Sequence, residues 1–180
     1  MSSKSFVTNV GLITTKGKYG DNIMACEYTH QILGNPLQIL VCLTSNEATY
    51  EHLESSREFG VSICAANQNI VSSIAGNNTG KEVDKIGVLK ELGVEFYQAS
   101  TIDTLMVEGA VLNAECKLIE SIIVNSHNRL FIGEANIFTE HSKEPIIYHG
   151  GEYFNLGDKI QKPDQERLAQ IDEIIKKYTS

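Results

Sequence analysis

Short runs of apolar and β-branched residues, divided by turn residues, fill the first part of the chain. Residues 10–15 form the first run, and the turn residues at 17–21 predict a hairpin whose return strand covers residues 22–29. Asn35 and Pro36 then interrupt the pattern. Residues 37–43 are almost continuously apolar, which is typical of a strand buried on both faces.

Further along, the spacing of apolar residues alternates between helix and strand periods. Capping residues at 44–47 precede a predicted helix over residues 48–57, and Gly93 closes another over residues 83–92. Gly109 is expected to form a bulge inside the longest strand. The remaining runs predict a short helical turn at residues 67–75 and strands at residues 59–65, 105–124, 129–139, 146–148 and 153–154.

The tail is polar except for one apolar helical face, which predicts an amphipathic helix over residues 163–178. Strands joined by hairpins, without strand–helix–strand alternation, argue against a parallel doubly wound sheet. They predict an all-β fold with short helices, an antiparallel β barrel that carries the C-terminal helix. We expect a single domain over residues 1–180, with its core at about residues 8–158.

The net negative charge of the chain narrows the classes of binding partner that we expect. The net charge is −8 and no run of Lys and Arg is present, so we do not expect a nucleic-acid binder. A small anionic ligand needs only a few backbone N–H groups and one or two cations. No apolar segment has the length of a signal peptide or a membrane span. The four scattered cysteines form no C-x-x-C pair, so we expect buried thiols in a cytoplasmic protein without a metal site.

Common catalytic and nucleotide-binding motifs are missing from the sequence. It contains no G-x-S-x-G elbow, no G-x-x-x-x-G-K-[ST] loop and no G-x-G-x-x-G turn. The five histidines have no metal-ligand spacing. A hydrolase built on His with Ser or Cys stays open, although no nucleophile is singled out. This absence is expected when a bound cofactor carries the reaction.

Three stretches resemble, in order, the motifs of the flavin reductase-like family. Residues 22–29, followed by Asn35-Pro36, resemble its N-x-M/T-A-x-x-x-T … P segment. Residues 59–68 are similar to its E-F-x-V-N-x-x-x-x-x-Q strand and turn. Residues 131–134 and 148–153 resemble its H-x-L-F-x-G-E-V … Y-x-x-G-x-Y ending. The resemblance extends from about residue 10 to residue 157.

The resemblance implies a Greek-key split barrel that binds FMN at the interface of a homodimer, with NAD(P)H as the electron donor. FAD, or free flavin used as a substrate, stays open as an alternative to bound FMN. The electron acceptor also stays open among ferric complexes, other electron carriers, and free flavin used by a partner monooxygenase.

The resemblance further implies which residues surround the flavin. Residues 22–29 would run past the ring, and the turn at residues 44–49 would hold the phosphate at a helix N-terminus. Many family members carry Lys or Arg in this turn, where this chain has Asn46 and Glu47, so the cation would be Lys81 or Lys85. The implied cofactor contacts are Asn22, Met24, Ala25, Cys26, Glu27, Tyr28, Thr29, Thr44, Ser45, Asn46, Thr49, Ala65, Ala66, Asn67, Gln68 and Lys85.

No catalytic residue is assigned; His127, His149 and Tyr153 are candidates near the flavin or the nicotinamide. His149 and Tyr153 match the closing segment, where a ring could stack. His127 matches the histidine of the family's D-H-x-L-F motif, with Ser126 in place of the acid. Two rival functions stay open: a flavin-binding electron carrier without NAD(P)H activity, and a non-catalytic split-barrel protein that binds haem, another planar ligand, or nothing.

Overall fold

The computed structural model describes residues 5–179, so expectations that rest on residues 1–4 and 180 lie outside the described residues. Its helices are α1 (Ala48–Ser56), α2 (Asn69–Asn77), α3 (Lys85–Glu91) and α4 (Gln165–Lys176). Its strands are β1 (Val7–Asn9), β2 (Gly11–Gly17), β3 (Gly20–Cys26), β4 (Thr29–Gly34), β5 (Leu37–Thr44), β6 (Glu58–Ile63), β7 (Phe96–Gln98), β8 (Leu105–Val107), β9 (Leu112–Ile123), β10 (Asn128–Glu140), β11 (Ile147–His149) and β12 (Glu152–Phe154).

Seven antiparallel strands form the main sheet, in the order β3-β2-β6-β9-β10-β5-β4. The neighbours β2–β6 and β5–β10 are far apart in sequence, as in a Greek key. The edge strands β3 and β4 meet at a corner, where Thr29 Oγ1 donates to the Cys26 carbonyl at 3.0 Å. The Cys42 N–H donates to the Tyr28 carbonyl at 3.1 Å at the same corner. The predicted all-β antiparallel split barrel is confirmed.

Two apolar clusters hold the barrel and its helices. The barrel interior contains Ile13, Val41, Phe59 and Phe131, all fully buried. A second cluster lies on the other side of β2 and β3, where their outward side chains pack against α2 and α3. The members of this second cluster include Leu12, Ile23, Val71, Ile86 and Leu89. Because α2 and α3 are fixed on the outer face of β3, they form a wall beside that strand.

The prediction that residues 37–43 are buried on both faces is wrong for the single chain. Leu37, Ile39, Val41 and Leu43 are buried in the barrel, whereas the alternate side chains are half-buried. The alternate side chains Leu40 and Cys42 lie on the opposite face of β5, away from the barrel interior. The single chain therefore leaves an apolar sheet face partly open to solvent.

The predicted strand at residues 105–124 is in fact two strands. Gly109 has a φ of +78° and lies in a turn between β8 and β9, so it ends one strand rather than forming a bulge. β8 pairs with β7 as a separate hairpin. The predicted strand at residues 22–29 is also too long, because Thr29 already begins β4 after the corner. The short strands β11 and β12 confirm the predicted edge strands, and β11 also pairs with β1.

The C-terminal helix is confirmed as α4. Asp164 caps it by accepting the Arg167 N–H at 2.8 Å, and Lys176 lies in its last turn. None of its residues is buried on its own chain. Among the described residues, no helix combines the length and apolar character needed to cross a bilayer. That residues 1–180 form a single domain stays a prediction.

Candidate functional site

A cleft with two connected lobes runs along the edge strand β3. The first lobe, of about 310 Å³, lies between the start of α1, the end of α2, residues 78–80 and Lys85. The second lobe, of about 240 Å³, lies between β3, α2 and the aromatic side chains of Tyr148 and Tyr153. The two lobes share Ala25, Gly76 and Asn77.

The first turn of α1 opens into the first lobe without a side-chain cap. Glu47 occupies the cap position, but its carboxylate accepts the Thr44 N–H at 3.2 Å and makes no capping bond to its own helix. Ala48 and Thr49 line the lobe at this point. Because N–H groups in a first helical turn lack intrahelical partners, this end of the lobe attracts an anion.

Lys85 places a buried positive charge opposite that helix start. The residue is 3% exposed, and its Nζ donates to the carbonyls of Ala75 at 3.2 Å and Asn78 at 3.1 Å. An ammonium group has three protons, so these two bonds leave one donor for a ligand. Burial lowers the pKa of Lys85 to about 8, against the opposing charge of Glu47. Burial likewise raises the pKa of the Glu47 carboxyl.

Asn22 presents a buried acceptor that has no partner among the described residues. The side chain is 3% exposed, and its Nδ2 donates to Thr49 Oγ1 at 2.8 Å. Its Oδ1 makes no hydrogen bond within residues 5–179. A Cβ at Gly80 would collide with this oxygen, so only glycine leaves the space beside it free. A hydroxyl or N–H group of a ligand would satisfy the orphaned acceptor.

The second lobe has fewer charged residues than the first. Its floor is formed by Ala25 and Gly76, and a Cβ at Gly76 would lie 3.3 Å from the Ala25 Cβ. Tyr153 closes one side, with its Oη 2.8 Å from Ser72 Oγ. Glu27 is the only charged residue that lines this lobe among the described residues. The small side chains of this floor leave room for a planar ring.

The structure brings seven of the sixteen implied cofactor contacts to the cleft, together with Tyr153 of the catalytic candidates. Lys81 is instead paired with Glu51, which leaves Lys85 as the cation of the first lobe. The sequence prediction missed Ser72, Gly76 and Gly80, for which the small residues in and after α2 were the only signal. The implied residues that line the cleft are Asn22, Met24, Ala25, Glu27, Asn46, Thr49, Lys85 and Tyr153.

The other implied contacts lie outside the two lobes. Gln68 uses its amide within the chain, accepting the Ala65 N–H and donating to the Glu108 carbonyl, both at 2.9 Å. Cys26 lies in the barrel core, and burial raises its pKa to about 11. The remaining residues away from the lobes are Tyr28, Thr29, Thr44, Ser45, Ala65, Ala66 and Asn67.

The two candidate histidines are also outside the lobes. His127 is exposed in the turn between β9 and β10, where its carbonyl accepts the Ser45 N–H at 2.8 Å. His149 lies on β11, with Nδ1 3.2 Å from the Phe6 carbonyl and its ring centroid 6.1 Å from that of Phe154. Of the three catalytic candidates, only Tyr153 lines the cleft.

The fold defines a split-barrel protein, with the two-lobed cleft beside β3. Residues 1–157 match the model of the flavin reductase like domain. The FMN reductase (NADH) RutF of Pseudomonas syringae pv. syringae (strain B728a) is 23% identical over 147 residues, which cover 82% of this chain and 79% of that protein. The chain belongs to the flavin reductase-like domain family.

Two further similarities are found. The ferric-chelate reductase (NAD(P)H) of Archaeoglobus fulgidus (strain ATCC 49558 / DSM 4304 / JCM 9628 / NBRC 100126 / VC-16) is 31% identical over 107 residues, covering 58% of this chain and 59% of that protein. The crystal structure of flavoredoxin from Methanosarcina acetivorans superimposes with a TM-score of 0.78 at 19% identity, covering 91% of this chain and 92% of that one. This last likeness supports the split-barrel fold.

Proposed function

We propose that the protein is an FMN-binding NAD(P)H:flavin oxidoreductase whose flavin lies in the two-lobed cleft. The observation that carries the proposal is the buried Lys85 ammonium opposite the uncapped start of α1, at one end of a cleft that continues over the small residues Ala25 and Gly76. A phosphate fits the first lobe because it meets both a cation and free N–H groups there. The relatives' names, FMN reductase (NADH) and ferric-chelate reductase (NAD(P)H), support this chemistry.

Each part of the cleft would hold one part of the cofactor. Lys85 and the N–H groups of Ala48 and Thr49 would bind the phosphate, while Asn22 Oδ1 would accept a hydrogen bond from a ribityl hydroxyl. The ring would lie on Ala25 and Gly76 in the second lobe. Bound flavin supplies the redox chemistry, taking a hydride from a reduced nicotinamide and passing electrons onward.

The protein's own side chains would bind the flavin and shield it from water, and they would not exchange protons with it. Tyr153, held by Ser72, walls one side of the second lobe and limits the access of water. Among the described residues, the second lobe has the carboxylate of Glu27 and no cation, whereas the first lobe has the Lys85 ammonium beside Glu47, so the ligand's phosphate is directed to the first lobe. Binding and orientation are then the protein's contribution to the reaction.

FMN is the flavin that we infer, with FAD as the alternative. The first lobe ends at Lys85, whose Nζ is held by the carbonyls of Ala75 and Asn78. A terminal monophosphate can accept hydrogen bonds from this ammonium and from the N–H groups at the start of α1 at the same time. The mass of the ligand extracted from the purified protein distinguishes FMN from FAD.

We also propose that the protein is a homodimer that uses the outer face of β4, β5, β10 and β9. Directly opposed residues on paired strands point to the same side, so a row of apolar side chains crosses this face. The row consists of Tyr28, Cys42, Leu130 and Ile122. Tyr28 and Ile122 are nearly half exposed in the single chain, and burying such a face is a typical reason for self-association. Glu27, next to Tyr28, lines the second lobe, so the second copy would lie beside the flavin.

The four cysteines are all free, which supports the cytoplasm as the location. The shape of the cleft does not distinguish among the possible electron acceptors, so a partner monooxygenase stays a prediction.

An anaerobic titration tests the proposed function. The purified protein is loaded with FMN, freed of unbound flavin, and mixed with NADH or NADPH without oxygen while the flavin absorbance is recorded. We expect the absorbance to bleach with at least one donor. Bound flavin that no donor bleaches would indicate the electron carrier instead. A protein that retains no flavin and does not quench the fluorescence of added FMN at micromolar concentration would contradict the whole proposal.

A further inference from the structure

A single carboxylate gives the second lobe its charge. Glu27 follows β3 at the corner of the sheet, where it is half-buried, and it forms no ion pair within residues 5–179. The neighbouring Tyr28 phenol is neutral at pH 7, and the Glu27 carboxylate raises the pKa of that phenol. The negative charge of Glu27 is therefore not compensated within the described part of the chain.

The first lobe would offer no free cation once the cofactor is bound. Among the described residues, Lys85 is the only Lys or Arg that lines either lobe. In the proposed function its ammonium binds the flavin phosphate, whose own negative charge exceeds one elementary charge at pH 7. Glu47 lines the same lobe. A molecule that approaches the loaded cleft therefore meets a negative potential.

The second lobe can be reached by small molecules from solvent. Gly76, Asn77 and Tyr153, which line it, are all exposed. The lobe has a volume of about 240 Å³, so it is smaller across than the screening length of roughly 10 Å at 0.1 M salt. An acceptor that enters the lobe therefore comes within range of the Glu27 charge.

We propose that Glu27 makes the reduced flavin favour neutral or cationic electron acceptors over anionic ones. The inference rests on the proposed function, which places the flavin ring in the second lobe. Repulsion between like charges slows the approach of anionic acceptors, such as free flavin nucleotides and anionic ferric chelates. Neutral acceptors are not repelled. The charge of the cleft thus makes a distinction that its shape does not make.

The electron transfer itself needs no further group. A fully reduced flavin releases two electrons and two protons when it returns to the oxidised form. With one-electron acceptors, two acceptor molecules each take one electron, and the protons pass to water. Glu27 changes only how often an acceptor of a given charge reaches the ring.

Reoxidation of the reduced, FMN-loaded protein tests the inference without a nicotinamide donor. The flavin is reduced photochemically without oxygen and mixed in a stopped-flow instrument with ferricyanide, a trianion, or with hexaammineruthenium(III), a trication. We expect Glu27→Gln to raise the ratio of the ferricyanide rate constant to the hexaammineruthenium rate constant about tenfold at low ionic strength. The ratio is the readout because a change in flavin potential would alter both rates in the same direction. High salt should remove most of this difference from the wild type.

Two further variants separate the local charge from other effects. Glu140→Gln removes an exposed carboxylate from the end of β10, which lines neither lobe, and changes the net charge of −8 by the same amount. Glu27→Asp keeps the charge in the lobe. Both variants should keep the ratio near that of the wild type. Because Glu27→Gln keeps the size of the side chain and breaks no ion pair, it should fold and bind flavin.

The outcomes separate this inference from the proposed function. An unchanged ratio in Glu27→Gln, or an equal change in Glu140→Gln or Glu27→Asp, would overturn the inference, even if NADH or NADPH bleaches the bound flavin. Bound flavin that neither donor bleaches would contradict the proposed oxidoreductase, while the ratio of reoxidation rates would still report on Glu27.

Discussion

Lys85 is buried although it forms no ion pair within residues 5–179, and its two carbonyl contacts explain how the chain accommodates it. The carbonyls of Ala75 and Asn78 lie at the end of α2, where a cation also interacts favourably with the helix dipole. Burial nevertheless lowers the pKa of Lys85 to about 8. A phosphate beside Nζ would favour the charged form and raise that pKa.

Because phosphate binding and protonation of Lys85 favour each other, the affinity for FMN should depend on pH. At about pH 7, below that pKa, Lys85 is mostly protonated in the free and the FMN-bound protein, so the affinity for FMN should change little around this pH. Above pH 8 the free protein loses this proton and binding must recover it, so the affinity should fall, approaching about tenfold per pH unit. The fall should continue up to the higher pKa of the bound state. Fluorescence titrations between about pH 7 and 9.5 measure this dependence.

Riboflavin is the control for that titration because it lacks the phosphate. Its affinity should not follow the titration of Lys85. Parallel pH profiles for FMN and riboflavin would show that Lys85 does not contact the phosphate.

At the scale of residues, the sequence predicted the types of group at the site better than their identities. It placed the phosphate at the start of α1 and offered Lys81 and Lys85 as cations, but only the fold shows that Lys81 pairs with Glu51. Gln68 was implied as a flavin contact, whereas its amide holds the turn at Ala65. Whether a side chain faces the site or is already bonded within the chain depends on partners that are distant in sequence.

Elements with a clear apolar period were predicted well. Helix α1, the hairpin of β2 and β3, and helix α4 all lie within a few residues of their predicted ranges. The strands β1 and β7 have three residues each, too few for a period to be recognised. Strand β4 was missed because its side chains after Thr29 are exposed and follow no alternation.

A tertiary contact made by strand β9 helps to explain why the predicted strand at residues 105–124 was too long. Glu115 lies inside it and is 6% exposed, which a local pattern does not foresee. Its carboxylate accepts the backbone N–H groups of Ser100 and Thr101 and both hydroxyls, at 2.6–3.1 Å. Although burial alone would raise the pKa of Glu115, these hydrogen bonds lower it overall. The loop between β7 and β8 is therefore fixed by a tertiary contact, and Gly109 supplies the turn that separates β8 from β9.

At the scale of the whole molecule, the proposed dimer explains the composition of β5. Its outward side chains include Leu40 and Cys42, which are half-buried in the single chain. The sequence of the strand is nevertheless apolar on both faces. Leu40 lies opposite Ile132, and Cys42 lies opposite Leu130, so the apolar surface continues across β10. A second copy seated on this surface would give β5 the two-sided burial that its sequence indicates.

A charge placed in this face should separate the subunits. Leu130→Lys would bury an uncompensated ammonium in the interface, so the variant should sediment as a monomer. It should also bind FMN more weakly, because the face adjoins the second lobe at Glu27. Sedimentation velocity and FMN fluorescence titration measure the two effects.

Val88→Lys is the matched control, since Val88 is 41% exposed on α3, away from the face. The control should sediment as the wild type does. A monomeric wild-type protein with bound flavin, or a dimer that persists in Leu130→Lys, would contradict the proposed interface.

The central claim is that the flavin phosphate binds at Lys85, and a comparison of two ligands in two variants tests it most directly. FMN and riboflavin affinities are measured at pH 7 by fluorescence titration for the wild type, for Lys85→Met and for the control Lys81→Met. We predict that Lys85→Met weakens FMN binding about 10- to 100-fold and changes riboflavin binding little, because a charge-assisted hydrogen bond to phosphate is lost. Lys81→Met should leave the ratio of the two affinities as in the wild type. Equal weakening of both ligands by Lys85→Met, or an unchanged FMN affinity, would contradict the account.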